Sequence, residues 1–205
     1  MELLIATGNK GKLREYATLL AGVDVTLLSP ADVGLNGLEV VEDGEGFEDN
    51  AKLKARAYAE ASGKFTLADD SGLCVDALGG APGVHSARYG GAGLDDAGRR
   101  HKLLADMEHV PDQKRTAHFE CVIALAVPES MTCIVTYGQC PGSIRREDAD
   151  GPEGFGYDAI FAPDGYDQTF AQLPKAVKNK LSHRGAAAAD LIPILRQMVE
   201  NQRQS

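Results

Sequence analysis

The chain opens on the apolar run Glu2-Leu3-Leu4-Ile5-Ala6 and then turns at once into Thr7-Gly8-Asn9-Lys10-Gly11-Lys12. Leu13, Tyr16, Ala17 and Leu20 follow at the i, i+3, i+4, i+7 spacing of an amphipathic helix. This order constrains the fold more than any other feature. A short buried strand, a Gly-rich loop and a helix read as the first unit of an α/β protein. The junction also carries chemistry. Helix N-termini present backbone N–H groups that have no intrahelical acceptor, and phosphates bind there. The glycines let a ligand approach the backbone, and Lys10 and Lys12 add positive charge. The loop is not a Walker A sequence, because two residues separate its glycines and Lys12 is followed by Leu13. Taken alone, the stretch equally suits a Gly-rich turn with solvated lysines.

The alternation continues along the chain. Val23–Ser29 reads as a second strand. Residues 29–46 read as loop, rich in Gly, Asp and Glu, with room for one short strand. Residues 46–62 read as a helix with Phe47, Ala51, Ala55, Tyr58 and Ala59 on one face and Gly63 as its stop. Two further strands are expected at Phe65–Asp70 and Gly72–Leu78, and a helix over 94–108. Strands follow at His118–Val127 and Thr132–Cys140, with turn residues between them and short strands around Ser143–Glu147 and Ala159–Phe161. Residues 150–168 are rich in turn formers. A last helix is expected over 185–201, with Leu191, Leu195, Met198 and Val199 facing inward. Alternating elements followed by a run of strands predict a mixed α/β sheet, and no linker or repeat divides the 205 residues.

Composition excludes several functions. A net charge of −9 argues against a broad nucleic-acid or anionic-membrane surface but leaves room for a local basic pocket. No apolar run is long enough to span a membrane, and the first residues do not resemble a signal peptide. The four cysteines, Cys74, Cys121, Cys133 and Cys140, lack CxxC spacing, and His85, His101, His109 and His118 show no ligand spacing. Buried free thiols and a cytoplasmic location are the expectation.

Four further stretches could carry chemistry. Asp69 and Asp70 end an apolar strand, where carboxylates are costly without a cationic partner, and a Mg²⁺ ion would suit them. Residues 40–50 supply Glu42, Asp43, Glu45, Glu48 and Asp49, which also suit a solvated loop and helix start. Gly154-Phe155-Gly156-Tyr157-Asp158 sets two aromatics on a permissive backbone, which could stack on a base or pack on the core. Lys178, Lys180, His183 and Arg184 lie together before the final helix, with Ser182 as a candidate N-cap. Arg88 suits a phosphate, a subunit neighbour or a structural role.

Together these stretches resemble the inosine triphosphate pyrophosphatases. The matching segments run in the family's order from residue 6 to about residue 187 (Ala6–Glu15, Gly46–Ala55, Ala68–Tyr89, Gly154–Pro163 and Ser182–Ala187). The resemblance implies an elongated mixed β-sheet with flanking helices, forming one domain over residues 1–205 in two lobes with the active-site cleft between them. It implies Mg²⁺-dependent hydrolysis of ITP, dITP and XTP to monophosphate and pyrophosphate by a cytoplasmic homodimer, with no nucleic-acid or membrane partner. It assigns Thr7, Gly8, Asn9, Lys10, Gly11 and Lys12 to the phosphates. Asp70 becomes general base and metal ligand, with Asp69 and Lys12 assisting and Ser71 touching substrate. The second metal ligand falls on Glu42, with Asp43 and Glu45 close by. Phe155, Gly156, Tyr157, Asp158, Lys178, His183 and Arg184 are assigned to nucleotide contacts.

Overall fold

The structure, a computed structural model, describes residues 1–149, 151 and 154–204. Its core element is a six-stranded mixed sheet in the order β2-β1-β3-β4-β5-β6. The strands are β1 (Glu2–Ile5), β2 (Thr26–Leu28), β3 (Phe65–Val75), β4 (Thr116–Ala126), β5 (Cys133–Ile144) and β6 (Phe161–Pro163). β1 lies parallel to both β2 and β3, with Leu3 opposite Leu27 and Phe65. β5 and β6 are antiparallel, with Ser143 opposite Ala162. The helices are α1 (Lys10–Leu19), α2 (Phe47–Ser62), α3 (Asp96–Asp106), α4 (Lys175–Leu181) and α5 (His183–Gln204).

The expected strands at Phe65–Asp70 and Gly72–Leu78 are a single strand. Ser71-Gly72 reads locally as a break, but nine of the eleven β3 residues outside Phe65 and Ser71 are buried, as in a central strand covered on both faces. Tertiary pairing on both edges overrides the turn propensity. β5 likewise runs on to Ile144 and absorbs the start of the separate strand expected over 143–147. No strand forms over residues 29–46. The turn expected at Asp150, Pro152 and Glu153 falls on residues outside the described set.

α2 follows its sequence pattern closely. Phe47, Ala51, Ala55, Tyr58 and Ala59 are buried, and Gly63, at φ 65°, caps the helix by donating to the Ala59 carbonyl. α1 departs from its pattern, since Ala17 is exposed while Glu15 is buried with Tyr16. α4 was not expected. Its seven residues form one short amphipathic segment, and Ser182 is the joint between α4 and α5.

The chain divides into two compact units. The first comprises residues 1–70, 121–138 and 184–205. Its core packs Leu3, Ile5, Tyr16, Leu67, Ile123 and Leu191, all essentially inaccessible to solvent. Small side chains let α5 approach closely, and Thr136 donates its hydroxyl to the Ala187 carbonyl at 2.9 Å. The second unit comprises residues 71–120 and 139–183. Its core is aromatic, with Phe119 against Phe161 at 4.7 Å between ring centres and Phe161 against Phe170 at 5.2 Å. Buried Arg115 donates to the carbonyls of Met107, Ile144 and Arg145 in the same unit. Truncating a fully buried leucine such as Leu67 or Leu73 would cost about 2–5 kcal/mol.

Candidate active site

In the first unit, the loop after β1 is set by its own polar side chains. Asn9 caps α1, and its side-chain oxygen accepts from the N–H groups of Gly11 at 2.7 Å and Lys12 at 3.2 Å. Thr7 Oγ1 accepts from the Asn9 N–H at 3.1 Å. The expected cradle is therefore smaller than the sequence suggests, because Asn9 already holds Gly11 and Lys12. The N–H groups of Gly8 and Lys10 make no hydrogen bond among the described residues. A Cβ added at Gly8 would meet nothing within 4 Å. The glycine leaves open space beside the backbone, where a ligand oxygen fits. The Lys10 side chain points to solvent, whereas Lys12 is part-buried with its Nζ 2.9 Å from Asp69 Oδ2.

Asp69 sits in a buried ionic cluster. Arg184 donates to Asp69 Oδ2 from Nε at 3.2 Å and Nη2 at 3.1 Å, and from Nη1 to Glu15. Cys121 Sγ lies 3.8 Å from the same carboxylate oxygen. Burial alone would raise the Asp69 pKa, but Lys12, Arg184 and Lys54 outweigh it and hold the carboxyl well below the ordinary range. Burial likewise works against the charge on Arg184, and Asp69 leads the anions that overcome it. Arg184 is thus a buried hub for Asp69 and Glu15. Glu15 was missed in the sequence because a helix glutamate reads as surface.

Asp70 has different surroundings. Its Oδ2 accepts from Asn50 Nδ2 at 3.1 Å. Asn50 is itself buried in the first turn of α2 and accepts from the Gly44 N–H at 2.9 Å. Burial raises the Asp70 pKa above its ordinary 3.8 and nearby Glu42 adds to the rise, against the opposing pull of Lys54, Lys12 and the Asn50 hydrogen bond. Lys54 pairs with Glu42 at 2.9 Å and donates to the Asp69 carbonyl at 3.2 Å. A hollow of about 150 Å³ is lined by Thr7, Gly8, Glu42 and Lys54, among others. Glu42 therefore faces the loop, while Asp43 and Glu45 are exposed. Lys54 and Asn50 are site residues that the sequence reading overlooked. Their signal was the four-residue spacing, which stacks them on one face of α2. Ser71 follows Asp70 in β3 and is half-buried.

In the second unit the Phe155–Asp158 loop is held from several sides. Asp158 accepts from the Phe155 N–H at 2.8 Å and from Lys178 Nζ at 2.7 Å. Tyr157 is buried and donates its hydroxyl to the Ser86 carbonyl at 2.8 Å. Burial pushes its pKa up to about 12. Tyr157 and Asp158 thus fix the loop from within. Asp96 accepts from the Gly156 N–H, and Arg100 donates to the Gly156 carbonyl, at 2.8 and 2.9 Å. Phe155 remains part-exposed, with Lys178 Nζ 5.0 Å from its ring centre. It lines a hollow of about 200 Å³ with Arg100, Gly154 and Gly156. His183 is buried and stacks on Phe119 at 4.7 Å with an interplanar angle of 12°. Arg88 is exposed and bonds to His85, so it belongs to neither group.

No disulfide links the cysteines; Cys74, Cys121 and Cys140 are buried, and Cys133 is half-buried. Among the described residues no helix is long and apolar enough to cross a membrane.

Residues 3–194 match the Ham1 family, and this chain belongs to it. It is 46% identical over 196 residues, 96% of each chain, to a protein of Leifsonia xyli subsp. xyli named dITP/XTP pyrophosphatase. It is 47% identical over 202 residues to a protein of the same name from Desulforamulus reducens, covering 98% of this chain and 99% of that one. The fold matches a HAM1 protein from Coxiella burnetii with a TM-score of 0.86 at 38% identity, over 96% of this chain and 99% of that one. It also matches a nucleoside-triphosphatase, dITP/XTP pyrophosphatase, from Mycobacterium abscessus with a TM-score of 0.74 at 44% identity, over 94% of this chain and the whole of that one.

Proposed function

We propose that this chain is a pyrophosphatase that hydrolyses the triphosphates of deaminated purines (ITP, dITP and XTP) to the monophosphate and pyrophosphate, with Mg²⁺, as a cytoplasmic homodimer. The family and the names of its relatives support the reaction class. One observation carries the site assignment. Asp70, Glu42, Lys12 and Lys54 gather around a loop that leaves two backbone N–H groups and an open glycine toward a ligand.

The residues fit a hard divalent cation. Two carboxylates close enough to raise the Asp70 pKa supply oxygen ligands, and Lys54 offsets their charge. Asp70 and Glu42 would hold Mg²⁺, which when bound neutralises phosphate charge and acidifies water. Lys12 and the N–H groups of Gly8 and Lys10 bind phosphate oxygens. Asp70, with its pKa raised by burial, takes a proton from the attacking water more readily than a solvated aspartate would. Asp69 stays ionised and holds Lys12 in position.

Base selection rests on donors meeting the 6-oxo group of hypoxanthine or xanthine, where adenine carries an amino group. Each of the three expected donors is held by the protein, Arg184 by Asp69 and Glu15, Lys178 by Asp158, and His183 by its stacking on Phe119. Phe155 offers its part-exposed ring for stacking.

The test is incubation with Mg²⁺ and equal ITP, XTP, dITP, GTP, ATP and dTTP, assaying pyrophosphate against orthophosphate. Pyrophosphate from the first three, with little from the rest, is expected. Release chiefly from dTTP would overturn the base assignment and keep the chemistry. Binding without release would make the chain a nucleotide sensor, and orthophosphate alone would move the scissile bond. Sedimentation velocity of the same sample tests the dimer.

A further inference from the structure

The second unit holds a cluster that the nucleotide chemistry does not use. Cys74 on β3 and His118 and Glu120 on β4 bring a thiol sulfur, an imidazole nitrogen and a carboxylate oxygen within 4.8 Å of one another. The strands are neighbours in the sheet, and His118 and Glu120, two apart, project from one face of β4. We propose that Cys74, His118 and Glu120 form a binding site for a zinc-like transition-metal ion.

Four observations support it. First, the set is chemically apt, because sulfur, nitrogen and oxygen ligands together suit a borderline ion such as Zn²⁺ and not Mg²⁺ or Ca²⁺. Second, the spacing is close. Ligand atoms on tetrahedral zinc stand about 3.3–3.8 Å apart at bond lengths of about 2.0–2.3 Å, and His118 Nε2 is already 3.8 Å from Glu120 Oε2. Third, the side chains meet without satisfying one another. Among the described residues, no hydrogen bond uses Cys74 Sγ or the His118 ring, and Glu120 has only a 3.4 Å contact from Gln139. Fourth, the surroundings are anionic. No lysine or arginine among the described residues pairs with Glu120 or with nearby Asp76, which accepts from Thr116 Oγ1 at 2.6 Å.

The sequence could not show this site. Cys74 lies far from His118 in the chain, and His-x-Glu is a ligand pair only when the residues lie on a strand. Three protein ligands leave a fourth position for water, since His118 and Glu120 are part-exposed. Binding would release the thiol proton to solvent and staple β3 to β4.

The full chain, stripped with chelator, is titrated with Zn²⁺ and, separately, with Co²⁺. One tight equivalent is expected, with a thiolate-to-cobalt charge-transfer band and a raised Tm. Cys74→Ser and His118→Gln should each abolish the band or weaken binding by about 100-fold or more. Asp70→Asn and Cys133→Ser should retain both. A Cys74→Ser protein that binds as before would overturn the proposal, as would a cobalt complex lacking the thiolate band or the absence of a tight equivalent. Far-ultraviolet circular dichroism checks that each variant folds. Should Cys74→Ser fail that check, Glu120→Gln, changed at a part-exposed side chain, decides by the same binding criterion. None of these readouts depends on nucleotide hydrolysis.

Discussion

Asp69 and Asp70 are adjacent in β3, yet their carboxyl groups depart from the ordinary aspartate in opposite directions. Asp69 is fully enclosed and meets Arg184 and Lys12 at hydrogen-bond distance. Asp70 is less enclosed and meets a neutral amide, with Glu42 near enough to oppose its charge. Both feel Lys12 and Lys54, but alternation along a strand turns successive side chains to opposite faces, so Asp69 gains Arg184 where Asp70 gains Asn50 and Glu42. The lesson is a division of labour. One carboxylate is stabilised as an ion and organises its neighbours, while the other is kept under strain and suits proton transfer.

The largest expected effect separates the two outright. Asp69→Asn leaves buried Arg184 with Glu15 alone and removes the carboxylate that pairs Lys12, and should cost about 3–5 kcal/mol, read as a lower urea midpoint. An unchanged midpoint would remove Asp69 from its structural role. Asp70→Asn should lower kcat by about 100-fold or more, worth about 2.7 kcal/mol of barrier. Its stability at pH 7 should equal or exceed that of the parent, because a desolvated charge is gone. A variant that lost stability and kept turnover would reverse the comparison.

The difference also predicts opposite responses to pH. The Asp69 pKa is depressed, so its contribution to stability is present above the ordinary 3.8 and is lost as pH falls below it. The Asp70 pKa is raised, so ionising it costs stability as pH rises through its folded value. With Asp70 as the proposed base, activity requires the ionised form and should be lost as pH falls through that same value, above 3.8. Asn50→Ala sharpens the point. Removing the hydrogen bond that favours the Asp70 carboxylate should move the acid limb of kcat/KM to higher pH, with a stability cost of about 1–3 kcal/mol from the stranded Gly44 N–H. A limb that stays in place would mean another group titrates there. The smallest effect is at Gly8. Gly8→Ala should leave Tm unchanged, since its Cβ meets no protein atom, and weaken substrate binding by about 0.5–1.5 kcal/mol, seen in KM.

The parts of the fold governed by local periodicity were legible in the sequence. The buried face of α2 appeared residue by residue, and so did the strand–loop–helix opening. β3 was misread as two strands because Ser71-Gly72 looks like a break unless the flanking strands are known. Within the proposed site, the loop, Asp70 and Glu42 were assigned through the resemblance carried by their motifs. Arg184 could not be placed, since its motif says only that it matters. Whether it faces solvent or Glu15 depends on contacts 169 positions apart in the chain. Lys54 and Asn50 were hidden for a related reason, because a helix face becomes a site only when the strand beside it is known.

The grip of α3 on Gly156 has a consequence for how such a protein changes over generations. One turn of helix holds both the N–H and the carbonyl of the residue beside the Phe155 ring. A substitution at Asp96, which does not line the hollow, would shift that ring without altering a single pocket side chain. If the Phe155 ring stacks on the base as proposed, preference among bases can drift through an outer helix, in small heritable steps, while the proposed catalytic group around Asp70 is left intact.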